Sequence, residues 1–137
     1  MNVSLIVAPL AACFVLAAWA ALRAPVVYVS TTGDDANPGT IDKPWKTLQH
    51  AADIATPGTT VNIRGGVYCQ QLAVKTPGSA EKGFITFRSQ PGETAVLDGS
   101  CLAPPEGGPR GGAALLALQN VSYVRIQGLE VRNYRTD

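Results

Sequence analysis

Three segments alternate strictly between polar and apolar side chains: Thr60-Val61-Asn62-Ile63-Arg64, Ile85-Thr86-Phe87-Arg88 and Tyr123-Val124-Arg125-Ile126-Gln127. A period of two sends successive side chains to opposite faces of a strand, so each segment predicts a strand with one buried face. Each is followed by a second short β-prone run: Leu72-Ala73-Val74, Ala95-Val96-Leu97 and Leu129-Glu130-Val131. Val26-Val27-Tyr28-Val29 predicts another strand near the start, and Ala114 to Leu118 one more before the last pair. Helical spacing occurs only from Pro44 to Ala55. There Leu48, Ala51, Ala52, Ile54 and Ala55 form an apolar stripe, Thr47 is placed to cap it, and Thr56-Pro57-Gly58 stops it.

The strand pairs recur. Aligning Ile63 with Phe87 gives an interval of 24 residues, and Phe87 to Ile126 is 39, the same interval plus an insert of 15. The Gly/Pro-rich stretch from Pro104 to Gly112 lies where that insert is needed. Repetition at a period above about 20 residues is the signature of a solenoid. One coil of two or three strands cannot bury its own inward side chains. Stacked at roughly 4.8 Å, successive coils pair their backbones and build a continuous apolar column. Open ends of such a column need covers against edge pairing, and the amphipathic helix is placed to cover the first coil. Nothing resembling a second cap precedes Asp137, so residues 25–137 read as the cap and first coils of a longer, truncated solenoid.

Composition adds a compartment. Twenty of the first 24 residues are apolar, with no charge from Val3 to Leu22. Ala18-Trp19-Ala20 offers small residues where a signal peptidase reads, so residues 1–20 are expected to be a cleaved signal peptide. An uncleaved signal anchor is the alternative, because about 20 apolar residues span a bilayer and no Lys or Arg precedes the run. Leu10-Ala11-Ala12-Cys13 has a lipobox-like look but lies in mid-run. Cleavage would remove Cys13 and leave Cys69 and Cys101, a disulfide candidate closing a 32-residue loop; two separate thiols are the other reading. Eleven basic against ten acidic side chains leave +1, which argues against nucleic acid or anionic membrane as the main partner. Fourteen Gly and ten Pro mean many turns, without the Gly-X-Y period of collagen.

Chemistry-bearing residues are sparse. His50, the only histidine, has Asp53 one helical turn away, a routine surface spacing with no nucleophile in view. Asp34, Asp35 and Asn37 are oxygen donors suited to calcium, yet their spacing is not that of an EF-hand loop, and a hydrogen-bonded turn also accounts for them. Arg64 and Arg88, 24 apart, would stack on neighbouring coils with Arg125 close by on a third. Such a basic ladder would suit an acidic sugar chain, and outward solubilising residues would look the same. Asp98 beside Gly99 reads as a metal ligand or as a turn residue. The Gly-rich segment 107–112 lacks the Lys-Ser/Thr and helix of a phosphate loop. Asn120-Val121-Ser122 is a formal glycosylation sequon.

With these residues set out, the chain resembles the N-terminal part of right-handed parallel β-helix proteins of the pectate lyase-like superfamily. Tyr28-Val29-Ser30 through Asn37-Pro38-Gly39-Thr40 looks like their opening motif, and Pro44-Trp45-Lys46-Thr47-Leu48 like the start of their capping helix. Pro57-Gly58-Thr59-Thr60-Val61 to Arg64-Gly65-Gly66-Val67-Tyr68 resembles a first coil, and Ile85 to Gly99 a second. Tyr123 to Asn133 is similar to a later coil, two strands joined by a tight Gly turn. The resemblance implies an all-β fold: a right-handed single-stranded parallel β-helix with an N-terminal capping α-helix, incomplete at its C-terminal end. It also implies a secreted or cell-surface protein acting on an acidic polysaccharide by β-elimination. The base and any calcium ligands of such proteins lie on central coils, so no catalytic residue, metal or cofactor is assigned within this chain. A non-catalytic carbohydrate-binding β-helix, or a hydrolase with paired carboxylates, shares the same scaffold.

If residues 1–20 are cleaved on export, mass spectrometry of secreted material should show a chain starting near Ala21. An intact Met1 in the membrane fraction would instead identify an anchor.

Overall fold

The computed structural model describes residues 23–102 and 114–133. The predicted leader with Cys13, and the Gly/Pro-rich stretch 104–112, lie outside the described residues. Nine strands and one helix follow in order: β1 (Val26–Val29), α1 (Leu48–Ile54), β2 (Thr60–Ile63), β3 (Gly66–Tyr68), β4 (Leu72–Val74), β5 (Ile85–Ser89), β6 (Ala95–Asp98), β7 (Leu116–Leu118), β8 (Val124–Gln127) and β9 (Leu129–Arg132). They form three parallel sheets, β1-β2-β5-β8, β3-β6-β9 and β4-β7. Above β1, the first two coils each give one strand to every sheet, the third adds β8 and β9 to two of them, and coil lies on coil. The expected β-helix is therefore the observed one.

Its register corrects the sequence alignment. Val61 pairs with Phe87 and Phe87 with Ile126, whereas Ile63 pairs with Ser89. The first interval is thus 26 residues rather than 24, and the second is 39 as expected. A slip of two keeps every side chain on its own face, so the buried set survived the error. Ser89 fits above Ile63 at the corner because its hydroxyl donates to Gly128 O at 2.6 Å and accepts from Ala95 N at 3.1 Å. A second correction concerns the strand pairs. Ala95–Leu97 lies over Gly66–Tyr68 and under Leu129–Val131, while Leu72–Val74 belongs to the third sheet with Leu116–Leu118. Gly65-Gly66 reads as a turn because glycine is depleted in strands, which hid β3.

Inward side chains fill the column from rung to rung. Val29, Leu48, Val61, Ile63, Leu72, Val74, Ile85, Phe87, Ala95 and Leu97 are fully buried. Tyr68 is buried with them, and its hydroxyl donates to Arg64 O at 2.8 Å. Burial pushes its phenol up to about 12. Val124, Ile126 and Leu129 of the third coil pack on this core while remaining partly exposed. Cys69 and Cys101, just beyond β3 and β6, are joined by a disulfide with Cα atoms 5.7 Å apart. On the chain-entropy model, a loop of that length contributes roughly 3–4 kcal/mol.

The first coil rests on α1. The helix starts at Leu48, not Pro44, because Trp45 bridges Val29: Trp45 N donates to Tyr28 O at 2.9 Å and Ser30 N to Trp45 O at 2.8 Å. Thr47 is the N-cap and accepts from His50 N at 3.2 Å. Gly39, at φ +78, lies so close to the Trp45 ring that a Cβ there would approach within 2.7 Å. Two side-chain amides then stand in for a missing strand. Gln49 Oε1 accepts from Ala73 N and its Nε2 donates to Ala73 O, both at 3.0 Å. Gln70 Oε1 accepts from Leu48 N at 2.9 Å and its Nε2 donates to Lys46 O. The outer edge of β4 is thereby paired rather than open.

Replacing Gln49 with Ala would leave both Ala73 backbone groups without their partner. The expected loss is about 1–3 kcal/mol per stranded group, seen as a lower urea midpoint. Amide exchange at Ala73 should accelerate in the same variant.

Candidate functional site

The four-stranded sheet presents its outward residues in two rows. Register places Tyr28, Asn62, Arg88 and Gln127 in one row and Val26, Thr60, Thr86 and Arg125 in the other. Phe84 and Tyr123, each one residue before its strand, continue the same face. It carries two guanidinium groups, the Gln127 amide, hydroxyls and aromatic rings, and no carboxylate, while Asn62 and Thr86 are buried.

The expected stack of Arg64, Arg88 and Arg125 does not form. Because the interval is 26, Arg88 lies over Asn62 and donates from Nε to its Oδ1 at 2.7 Å. Arg125 lies over Thr86, and its guanidinium carbon sits 4.5 Å above the Phe84 ring centroid. A cation over a ring at that distance contributes about 0.5–1 kcal/mol at an exposed site. Phe84 meets Tyr123 edge to face, centroids 5.6 Å apart. Arg64 leaves the group altogether. It turns to the corner and binds Glu93, Nε to Oε1 at 3.0 Å and to Oε2 at 3.1 Å, while Gly65 N donates to the same carboxylate. These bonds, with the Arg64 charge, hold Glu93 below its ordinary value.

The remaining candidates are structural in their contacts. Asp35 accepts from the backbone N of Lys46 and Thr47 at 2.9 Å and from the Thr47 hydroxyl at 2.7 Å. Partial burial raises its pKa, but those hydrogen bonds outweigh it and the net shift is downward. Asp34 accepts from Ala36 N, and Asn37 donates to Pro44 O while its own carbonyl receives Trp45 Nε1 at 2.7 Å. This is the hydrogen-bonded turn, in which Asp34 and Asp35 bond nearby backbone N–H groups and the Thr47 hydroxyl. Asp98 accepts from Ser100 N at 2.8 Å and from Asn133 Nδ2 at 3.0 Å, an interaction that crosses coils and lowers its pKa. Asp53 does not pair with His50; it accepts from Gln49 Nε2 at 2.8 Å, and the His50 ring meets Trp45 edge to face at 5.0 Å. Asn120 of the sequon is exposed at a left-handed corner, φ 52.

Among the described residues no three His, Cys, Asp or Glu side chains gather as a metal ion requires. They therefore do not fit a calcium centre. An apolar hollow lies behind α1, lined by Pro25, Val27, Trp45, Ile54 and Ala55, away from the basic face and without convergent charge. No helix among the described residues is long and apolar enough to cross a membrane.

Comparison with known proteins gives these elements a context. The profile of the Pel9A-like right-handed β-helix region matches residues 27–137. An uncharacterized protein of Bacillus subtilis is 38% identical over 107 residues, which cover 78% of this chain and 22% of that protein. A pectate lyase of Emericella nidulans is 32% identical over 123 residues, covering 82% of this chain and 29% of the enzyme. The chain thus spans less than a third of the length of either relative. Among solved structures, a rhamnogalacturonan lyase superposes with a TM-score of 0.63 at 23% identity, over 78% of this chain and 28% of that one. The XylC complex with xylose gives 0.51 at 34% identity, over 54% of this chain and 12% of that one.

The carboxylate contacts set an acid limit. Glu93, Asp35, Asp98 and Glu130 all have folded pKa values below their ordinary ones. A depressed carboxylate adds stability that is present above its unfolded pKa and lost as pH falls through the folded one. For Glu93 the ordinary value is 4.5, so its share should fade below that pH. Urea midpoints of wild type and Glu93→Gln should differ most near neutrality and converge as pH falls to about 3. A constant difference across that range would show that the Glu93 charge is immaterial.

Proposed function

Because the chain belongs to the Pel9A-like right-handed β-helix family, we propose that it is the N-terminal portion of a secreted lyase that cleaves an acidic polysaccharide by β-elimination. The observation that carries this reading is 32% identity to a pectate lyase across 82% of the chain. It is supported by the coil-by-coil architecture, which that stretch of sequence builds from its first strand.

In such a reaction a base removes the proton at C5 of a uronate. The electron pair forms the C4–C5 double bond, the C4–O bond breaks, and the leaving oxygen takes up a proton. Cationic groups near the carboxylate stabilise the charge that builds up on it. Calcium, when bound, supplies that stabilisation. The proposal places the base and any calcium ligands on further coils. The part assigned to this region is mechanical and recognitive: α1 floors the column, the first coils fix its register, and the basic face meets polymer. By itself the region is inactive. Export is supported by the apolar leader and by the Cys69–Cys101 bridge, a bond favoured in oxidising compartments.

A non-catalytic glycan-binding protein is the second reading, favoured by the exposed rings and guanidinium groups of the outer face.

The whole protein incubated with polygalacturonate should release unsaturated products that absorb in the ultraviolet, and a chelator should suppress the signal. No absorbing product, with calcium or without, would exclude the lyase and leave the binding protein.

A further inference from the structure

Tyr123 stands in a conformation that its side chain disfavours. Its φ is +55, in the left-handed region, where the neighbouring corners carry Asn120, Gly128 and Asn133. Asn and Gly tolerate that region; a bulky aromatic there is a genuine outlier, with a strain of about 1–3 kcal/mol. Such strain persists only where the surroundings enforce it. Here they do. Ile85 N donates to Tyr123 O at 3.0 Å, and Gly78 N donates to Ser122 O at 3.0 Å. Gly78 approaches so closely that a Cβ on it would lie 2.3 Å from Tyr123 O.

The result of this constraint is a ring held outward. Tyr123 is 43% exposed and Phe84, its neighbour on the coil below, 41%. Register explains the pairing, since Ile85 lies beside Val124 and the preceding residues fall side by side. Arg125, on the same face two residues on, lies over the Phe84 ring and makes no ion pair among the described residues. Arg88 adds a second guanidinium from a diagonal position on the neighbouring strand, its Cα about 8 Å from that of Arg125 by strand geometry, and it is bonded to an amide rather than a carboxylate.

We propose that Tyr123, Phe84 and Arg125 form a sugar-binding subsite for an acidic glycan chain. The Tyr123 ring offers an apolar platform for one face of a pyranose. Phe84 positions the Arg125 guanidinium, whose planar fork matches a uronate carboxylate in two parallel hydrogen bonds. Arg88 continues the positive track toward the next carboxylate. Uronate chemistry fits better than a nucleic acid, because the chain's net charge is only +1 and two cations flank the rings. The assignment rests on the acidic-polysaccharide reading above and adds where the polymer is held.

Affinity electrophoresis of the whole protein through gels containing polygalacturonate tests it. Wild type should be retarded; Arg125→Gln should raise the dissociation constant about tenfold, the value of one lost charge-assisted contact, and Tyr123→Asn should raise it several-fold through loss of the apolar platform. Asn accepts the left-handed corner, so the second variant should melt no lower than wild type. Methyl-esterified polymer should retard wild type only as weakly as Arg125→Gln is retarded by the free acid. Equal retardation of wild type and both variants, or retardation that ignores esterification, would overturn the subsite. Release of unsaturated product by wild type is followed in parallel. Its absence sinks the lyase reading, whereas product with unchanged variant binding sinks the subsite alone.

Discussion

Parallel backbone pairing from coil to coil is the constraint on which the other features depend. It forces each inward side chain onto the one beneath it, so Val27, Val61, Phe87 and Ile126 form a single column although they come from distant parts of the chain. Burying a large apolar side chain contributes about 1.5–3 kcal/mol, and the column gathers many from the inner faces of all three sheets, with Leu48 of α1 among them. The same pairing dictates the exterior. Residues between those of the column must point out, and what they meet is set by register alone.

That dependence explains what could be read from the sequence. Alternation in Thr60–Arg64, Ile85–Arg88 and Tyr123–Gln127 revealed strands, faces and core, because period two is a local property. Register is not local. Ile63 aligns with Phe87 as well as Val61 does by pattern, and the choice is made at the corner, where Ser89 bonds Gly128 and Ala95 N. The third sheet was half visible. Leu72–Val74 and Leu116–Leu118 look like strands, but the Gly-rich start of β3 concealed which of the two early runs each later strand would cover.

The exterior was less legible for the same reason. A two-residue slip leaves the core intact, yet it turned an imagined row of three arginines into Arg88 on Asn62, Arg125 beside Phe84, and Arg64 on Glu93. Long side chains multiply the error, since each reaches diagonally to a partner that register selects. Phe84 and Tyr123 did not read as a pair, although each sits one residue before its strand, Tyr123 as the first member of its alternating run. That shared offset is a signal which aligned coils would have exposed. Oxygen-rich Asp34-Asp35-Ala36-Asn37 could be read either way until the cap at Thr47 claimed its carboxylate.

The amides of Gln49 and Gln70 have a consequence for assembly. They give the initial rung a finished underside made by the preceding few dozen residues, so its closure awaits nothing synthesised later. A nascent chain can set this foundation as it leaves the ribosome, and each subsequent turn then finds a ready template with the correct pitch. The other edge of that rung is the one left for a later turn, β4 taking β7 as its partner.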